Sequence, residues 1–243
     1  MQRHTMAWSG LGIAALTVFA APTRADEKGE RILREAFKKI NESQSMTANI
    51  TRLREGDGVD KKESIKGTVA AMKPNLLLVR VVTQSGNAEK SEIVFAATGK
   101  DYIIYNSELK MYHKDKLETA PTEFAGTWEG EIDSFFGGEK LLEKGQADYT
   151  GMDKVGEFVC NIVKMTIKAK DKDPERVITY FVGQRDHLIH KTTYPVLSRE
   201  GDEWTESNVL TDINLKAAKK VDDFRYTPPK DAKPEAPQRD IIL

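Results

Sequence analysis

The chain has 243 residues, with 37 lysine and arginine residues against 38 aspartate and glutamate residues. This length fits one large β-rich domain or two small ones, and because no linker-like composition precedes residue 228, a single domain is predicted. The balanced charge gives no electrostatic reason to expect a nucleic acid as partner. Charged residues are spread along the predicted strands rather than blocked, which predicts solvated outer faces.

Residues 1–25 have the pattern of a secretory signal peptide. A polar start is followed by the apolar run Met6–Ala21 and by Thr23-Arg24-Ala25, which predicts cleavage after Ala25 and an exported, periplasmic protein. An uncleaved membrane anchor is the alternative, and it is disfavoured because acidic residues follow directly. Cleavage removes Arg3 and Arg24, leaving 35 basic against 38 acidic side chains. No cysteine lies at the cleavage boundary, so a lipid anchor is not expected there.

The mature chain opens with an amphipathic helix over Glu27–Ser43, whose apolar residues recur on one stripe. Strands are predicted at Ser45–Glu55 and Ser64–Met72, with a reversal at Gly56-Asp57-Gly58. A single apolar stripe suits a helix that packs across a sheet.

A meander of four short strands follows, separated by turn-forming residues. The predicted strands are Leu76–Thr83, Ser91–Ala97, Asp101–Tyr105 and Lys110–His113. Apolar residues occupy both faces: Leu77, Val79 and Val81 alternate with Leu76, Leu78 and Val82 in the first of these strands. Both faces must therefore be covered, either by the helices of the chain or by a bound apolar ligand.

After a loop-like stretch over residues 118–130, apolar residues predict two short helical pieces on either side of Gly137-Gly138. These apolar residues are either ordinary core or a helical lid that swings at the glycine pair; the candidate lid residues are Phe135, Phe136, Leu141 and Leu142.

The remaining chain predicts more strands and then a tail. The strands are Tyr149–Gly151, Glu157–Ala169, Arg176–Val182, His187–Pro195 and Trp204–Leu215, followed by a helical turn within Lys216–Asp223. Residues 230–243 are rich in proline and charge and predict a flexible tail. Together the pattern predicts a mainly β fold with some α: an unclosed antiparallel β-barrel, formed by a strongly curved sheet, with an N-terminal helix and a helical lid over residues 26–229.

No recognised catalytic or metal-binding motif occurs in the sequence, so we expect no enzyme activity, no cofactor and no metal. His187 and His190 stand three apart in a predicted strand, which places them on opposite faces and excludes a paired metal site. The single cysteine, Cys160, lies in a strand pattern and is predicted to be a buried core residue.

Four segments resemble, in order, the landmarks of the periplasmic outer-membrane lipoprotein carrier proteins, the Lol-type carrier superfamily. The segments are Ser45–Arg54 after the helix, Lys73-Pro74-Asn75-Leu76, Gly99-Lys100-Asp101-Tyr102-Ile103-Ile104-Tyr105-Asn106 and Phe224-Arg225-Tyr226-Thr227-Pro228-Pro229. The resemblance implies an unclosed barrel whose helices form a lid over an apolar cavity for lipoprotein acyl chains. The best-known carriers have an arginine where this chain has Lys73, and lysine lacks the planar fork of donors.

The first functional hypothesis is therefore a soluble monomeric carrier that shields the acyl chains of a lipoprotein or other amphiphile between membrane-anchored donor and acceptor proteins. Its cavity would be lined by the following residues or by their opposite-face neighbours, with Lys73 at the rim: Leu77, Val79, Val81, Phe95 and Ile103. The alternative is a lipid-sensing or protein-interaction module of the same fold that regulates a membrane partner.

Overall fold

The structure is a computed structural model that describes residues 26–56, 63–83, 90–116, 141–168, 175–197 and 203–235. Within these ranges it contains one long helix, twelve strands and a short 3₁₀ turn. The predicted signal peptide lies outside the described residues. None of the described helices is long and apolar enough to cross a membrane.

The helix, α1, spans Glu27–Glu42 and matches the predicted helix closely. Asp26 caps it: one carboxylate oxygen accepts a hydrogen bond from the backbone N–H of Lys28 at 3.0 Å. The other oxygen accepts from the backbone N–H of Tyr149 at 3.1 Å. The same side chain thus starts the helix and fastens it to the sheet.

All twelve strands belong to one sheet. They are β1 Ser45–Gly56, β2 Glu63–Met72, β3 Leu76–Thr83, β4 Ser91–Thr98, β5 Asp101–Asn106, β6 Met111–Lys116, β7 Gly145–Val155, β8 Phe158–Ile167, β9 Arg176–Gly183, β10 Ile189–Leu197, β11 Glu203–Asn214 and β12 Lys233–Pro234. Their order across the sheet is β12-β6-β5-β4-β3-β2-β1-β11-β10-β9-β8-β7. Neighbours are antiparallel, apart from the parallel pair β12 and β6. This strongly curved, unclosed sheet with an N-terminal helix confirms the predicted fold class.

Strand register defines two faces. We call the face against which α1 packs the inner face, and the opposite one the outer face. On β7, β8 and β9 the apolar stripe of α1 covers the inner face, and Phe37 meets Tyr180 edge-to-face with ring centroids 5.7 Å apart. Gly29 permits the close approach, because a Cβ there would lie 2.7 Å from the backbone oxygen of Ala147.

The outer face of the central meander is covered by the segment after β11. The 3₁₀ turn Val221–Phe224 packs on β3 and β4, and the Phe224 side chain is fully buried. Tyr226 follows it, with its ring 5.7 Å from that of Tyr105 and 5.3 Å from the Arg80 guanidinium. Burial, with a smaller effect of nearby Glu92, raises the pKa of Tyr226 to about 12. This segment explains why the meander is apolar on its outer side.

Several boundaries differ from the sequence prediction. The predicted strand Tyr149–Gly151 is the middle of the much longer β7, which a bulge at residue 150 and a glycine turn at Gly156 obscure in the sequence. His187 precedes β10 in a turn with φ of 55°, so its assignment to a strand is wrong. The first residues of the predicted tail lie along β6: Lys233 N–H donates to Lys110 O at 2.9 Å, and Glu235 N–H donates to Tyr112 O at 2.9 Å.

Candidate functional site: the inner face of the sheet

The inner face carries two apolar clusters of different construction. The first, the helix cluster, combines α1 residues with residues of β7 to β10. The second, the strand cluster, contains residues from strands only. Its buried members are Met46, Ala48, Ile50, Val69, Ala71, Leu77, Val79, Val81, Phe95, Ala97, Tyr102, Ile104 and Leu210. One part of the inner face is thus a helix–sheet core, and another part is a layer of buried apolar side chains built by β1 to β5 and β11.

Register shows that both clusters share one face. Ile50 in the strand cluster lies opposite Leu210. Asn208 lies on the same side of β11 as Leu210 and is opposite Thr192 on β10. Thr192 is opposite Tyr180 on β9, and Tyr180 is opposite Val163 on β8, which belongs to the helix cluster. Residues directly opposite each other on neighbouring strands project to the same side. The inner face is therefore continuous from β5 to β7.

Four of the five predicted cavity residues lie in the strand cluster: Leu77, Val79, Val81 and Phe95. The fifth, Ile103, lies opposite Ala96, and the next pair along these strands is Phe95 opposite Ile104. Because successive strand residues alternate between faces, Ile103 projects to the outer face. Its neighbour Ile104 takes the inner position.

Two aromatic side chains reach the β6 side of the strand cluster. The Phe95 and Tyr102 rings stack with centroids 6.0 Å apart. The Tyr102 hydroxyl lies 3.2 Å from Nε2 of His113, whose Nδ1 is 3.3 Å from Glu235 O. Tyr102 therefore presents its ring to the apolar surface while its hydroxyl meets a polar partner at the margin.

The predicted lid is described only at its end. Phe135 and Phe136 lie outside the described residues. Leu142 is buried in the helix cluster, and Leu141 packs against that cluster while partly exposed. These two leucines therefore join the side of the inner face that α1 already covers.

Lys73, the predicted rim residue, lies in the turn between β2 and β3. Its ammonium group donates to the backbone oxygen of Asn41 near the end of α1. Its backbone N–H donates to Gln44 O at 3.0 Å. A cation is favoured at the C-terminal end of a helix, where carbonyl groups lack partners within the helix. Lys73 thus ties the end of α1 to the edge of the inner face.

A buried ionic cluster lies on the inner face between the two apolar clusters. Arg52 and Arg54 lie on the same face of β1 as Ile50, and Glu206 on β11 lies opposite Arg54. The side chains of Arg52 and Glu206 are only 4% and 5% exposed, and that of Arg54 is 18% exposed. The expectation that strand charges lie on solvated outer faces is therefore wrong for these residues.

Glu206 is the centre of this ionic cluster. Arg52 Nε lies 2.8 Å from its Oε1, and Arg54 Nε lies 3.2 Å from its Oε2. The Tyr194 hydroxyl donates to Oε1 at 2.6 Å, and Arg52 Nε also donates to Asn208 Oδ1 at 2.9 Å. One carboxylate is thus shared by two guanidinium groups and a phenol, which is a strong, charge-assisted arrangement.

The two histidines near β10 differ in position, since His187 precedes the strand and His190 lies within it. His187 is half exposed, and its Nδ1 lies 3.3 Å from a Glu35 carboxylate oxygen. His190 is buried with its ring stacked on Phe158, and its Nε2 lies 2.9 Å from Asp186. The described residues contain no group of three or more potential ligands that could hold a metal ion.

Cys160 is buried, as predicted. Burial, reinforced by the nearby Asp186 carboxylate, raises the pKa of its thiol to about 11. A thiol that stays protonated at neutral pH is a poor nucleophile. Cys160 therefore acts as a small buried apolar residue of β8.

The fold and the inner face together define an unclosed antiparallel barrel with an apolar interior. No protein-family profile and no curated protein matches the chain by sequence. Among solved structures, the lipoprotein LppX from Mycobacterium tuberculosis is 14% identical over 78% of this chain and 96% of its own, with a TM-score of 0.47. LprF from Mycobacterium bovis is 12% identical over 86% of this chain and 99% of its own, with a TM-score of 0.46.

A LolA superfamily protein from Nitrosomonas europaea is 10% identical over 82% of this chain and 97% of its own, with a TM-score of 0.41. The TM-scores of all three structures lie below 0.5, so these similarities carry no conclusion about the family of this chain or about what it binds.

Proposed function

We propose that this protein is an exported carrier that shields the acyl chains of a lipoprotein or other amphiphile against the inner face of its sheet during passage across the periplasm. One observation carries the proposal. The strand cluster is a broad layer of buried apolar side chains to which α1 contributes no residue, because α1 belongs to the helix cluster on β7 to β10. Soluble proteins cover such surfaces or use them to bind apolar partners.

The energetics are adequate without any specific polar recognition. Each buried methylene group of an acyl chain contributes about 0.8 kcal/mol. Burial of about ten methylene groups therefore contributes roughly 8 kcal/mol before the cost of association. Release to an acceptor then requires only a competing apolar site, and no covalent step.

Uptake of a fluorescent acyl probe by an Ala97→Phe variant tests this proposal. Ala97 is buried in the strand cluster beside Leu77 and Tyr102. If an acyl chain occupies the space above it, the phenyl ring will fill that space, and uptake will fall at least about fivefold while the protein stays folded. Ala70→Phe is the matched control. Ala70 is next to Ala71 of the strand cluster on β2, so its side chain projects to the outer face, and it is only half-buried.

Two outcomes would count against the carrier. A wild-type protein that takes up no probe would show that the inner face is not accessible to acyl chains. An Ala97→Phe protein that unfolds, while Ala70→Phe folds, would show that the chain's own side chains already fill the space. Overpacking of a closed core costs about 1 to 3 kcal/mol.

A second candidate function, a module that regulates a protein partner, is favoured by one feature of the sheet edge. The hairpin between β7 and β8 exposes three large apolar side chains, Met152, Phe158 and Val159. Strand β7 is also an edge strand of the sheet, and exposed edges can accept an extended segment from another protein. A module of this kind needs the hairpin residues and requires no uptake of acyl probe.

A further inference from the structure

We infer that the preferred ligand of the inner face is an amphiphile with an anionic head group, a carboxylate or a phosphate, which Arg52 and Arg54 bind. This inference rests on the proposed function and adds to it the chemistry of the head group. It is carried by the position, burial and charge of the ionic cluster.

Position is the first argument. The cluster lies on the same face as both apolar clusters, at β1 and β11, where the strand cluster ends. Arg52 follows Ile50, and Arg54 follows Arg52, along one side of β1. An acyl chain lying against β1 to β5 would therefore have its polar end close to these two side chains.

Charge is the second argument. Two guanidinium groups share the Glu206 carboxylate, and both of its oxygens are already engaged. The register of β1 and β2 also places Glu63 opposite Arg54. The Nε atom of each arginine contacts Glu206. Both arginines make further interactions, so an incoming anion would exchange with part of an existing network rather than enter a vacant site. Guanidinium groups suit this exchange because each carries five N–H donors that match carboxylate and phosphate geometry.

Burial is the third argument. Placing charges in an apolar interior is costly, and well-packed apolar residues usually give equal or greater stability at such positions. The inner face is apolar on either side of the cluster. A function that uses the charges explains their presence there better than stability does.

Competition binding can test the inference with palmitate and 1-hexadecanol, which have chains of the same length and differ in head-group charge. Each displaces a neutral fluorescent acyl probe from the wild-type protein and from an Arg54→Met variant. Arg54→Met leaves Arg52 and Glu206 as a neutral pair and replaces the more exposed of the two arginines, so we expect it to fold. Arg80→Met is the control, because Arg80 is a half-exposed arginine on the outer face, paired with Glu92 at 3.3 Å.

We expect the wild-type protein and Arg80→Met to prefer palmitate by at least about tenfold, the ratio expected for one charge-assisted hydrogen bond. Arg54→Met should reduce that ratio to below about threefold, mainly by weakening the binding of palmitate, and Arg54→Lys should restore part of it. Acetate and inorganic phosphate, added alone, should not displace the probe, since the head group acts together with the acyl chain.

Three results would overturn the inference. Equal affinity of the wild-type protein for the two amphiphiles, or an unchanged preference in Arg54→Met, would refute the anionic head group while leaving the carrier intact. Displacement by acetate or phosphate alone would assign the cluster to small soluble anions. Failure of both amphiphiles and of the probe to bind would remove the proposed function and this inference together. Thermal unfolding of each variant shows whether a lost preference reflects a lost fold.

Discussion

Replacing Phe224 by alanine is expected to lower the free energy of unfolding by about 3 to 5 kcal/mol, the usual cost of removing a fully buried phenylalanine. Phe224 is the one fully buried side chain of the 3₁₀ turn, and it lies over β3 and β4 on the outer face. Its loss leaves a cavity and loosens the segment that packs on this side of the meander. Urea unfolding followed by circular dichroism measures the change.

Val221→Ala is the matched control for this experiment. Val221 begins the same turn and is half exposed, so its truncation should change the unfolding free energy by less than about 0.5 kcal/mol. A Phe224→Ala protein as stable as the Val221→Ala protein would show that the segment after β11 does not hold the outer face.

Replacing Glu206 by leucine is expected to cost a similar 3 to 5 kcal/mol, roughly the penalty for breaking a buried ion pair on one side only. The substitution removes the carboxylate that Arg52 and Arg54 share and the acceptor of the Tyr194 hydroxyl. Arg52, which is almost fully buried, cannot turn to water without moving the strand. Stability should fall while the volume of the side chain changes little.

The triple variant Arg52→Met, Arg54→Met, Glu206→Leu separates charge from packing. If the loss in Glu206→Leu comes from stranded positive charge, the triple variant will recover most of it, because apolar residues of similar volume replace the whole network. A triple variant as unstable as Glu206→Leu would instead show that the ionic cluster stabilises the protein through the hydrogen bonds of the carboxylate and not through charge balance.

The strands were predictable where the chain alternates β-branched or aromatic residues with clear turn formers. Leu76–Thr83 was predicted to the residue, and the helix and β1 to within one residue at the end. In these segments local propensity and burial agree. Prediction failed at β7, where a bulge shifts the alternation of side chains in mid-strand and so hides the strand's true length.

The cover of the outer face could not be predicted from the sequence. The apolar residues on both faces of the meander were visible in the sequence, but Phe224 and Tyr226 are isolated aromatic residues in a charged stretch and form no periodic apolar pattern. The strands on which it packs, β3 and β4, lie more than 100 positions earlier in the chain. Only the tertiary structure brings them together.

The ionic cluster was missed for a different reason. Arg52 and Arg54 are separated by Leu53, and charged residues at every second position of a strand normally indicate its solvent-exposed face. The sequence did carry one signal: Arg52 and Arg54 are two and four positions after Ile50, so all three side chains lie on the same face of β1, the face that both apolar clusters occupy. That signal becomes informative only when the register with β11 places Glu206 on the same face.

The most direct test of the central claim, that the inner face holds an amphiphile, is native mass spectrometry of the protein purified from the cells that make it, followed by solvent extraction and lipid analysis. We expect a co-purifying acylated species close to one per protein molecule, which is lost from Ala97→Phe and retained in Ala70→Phe. A protein with no bound species that also fails to take up an acyl probe would contradict the account and favour a module that binds a protein partner through the β7 edge.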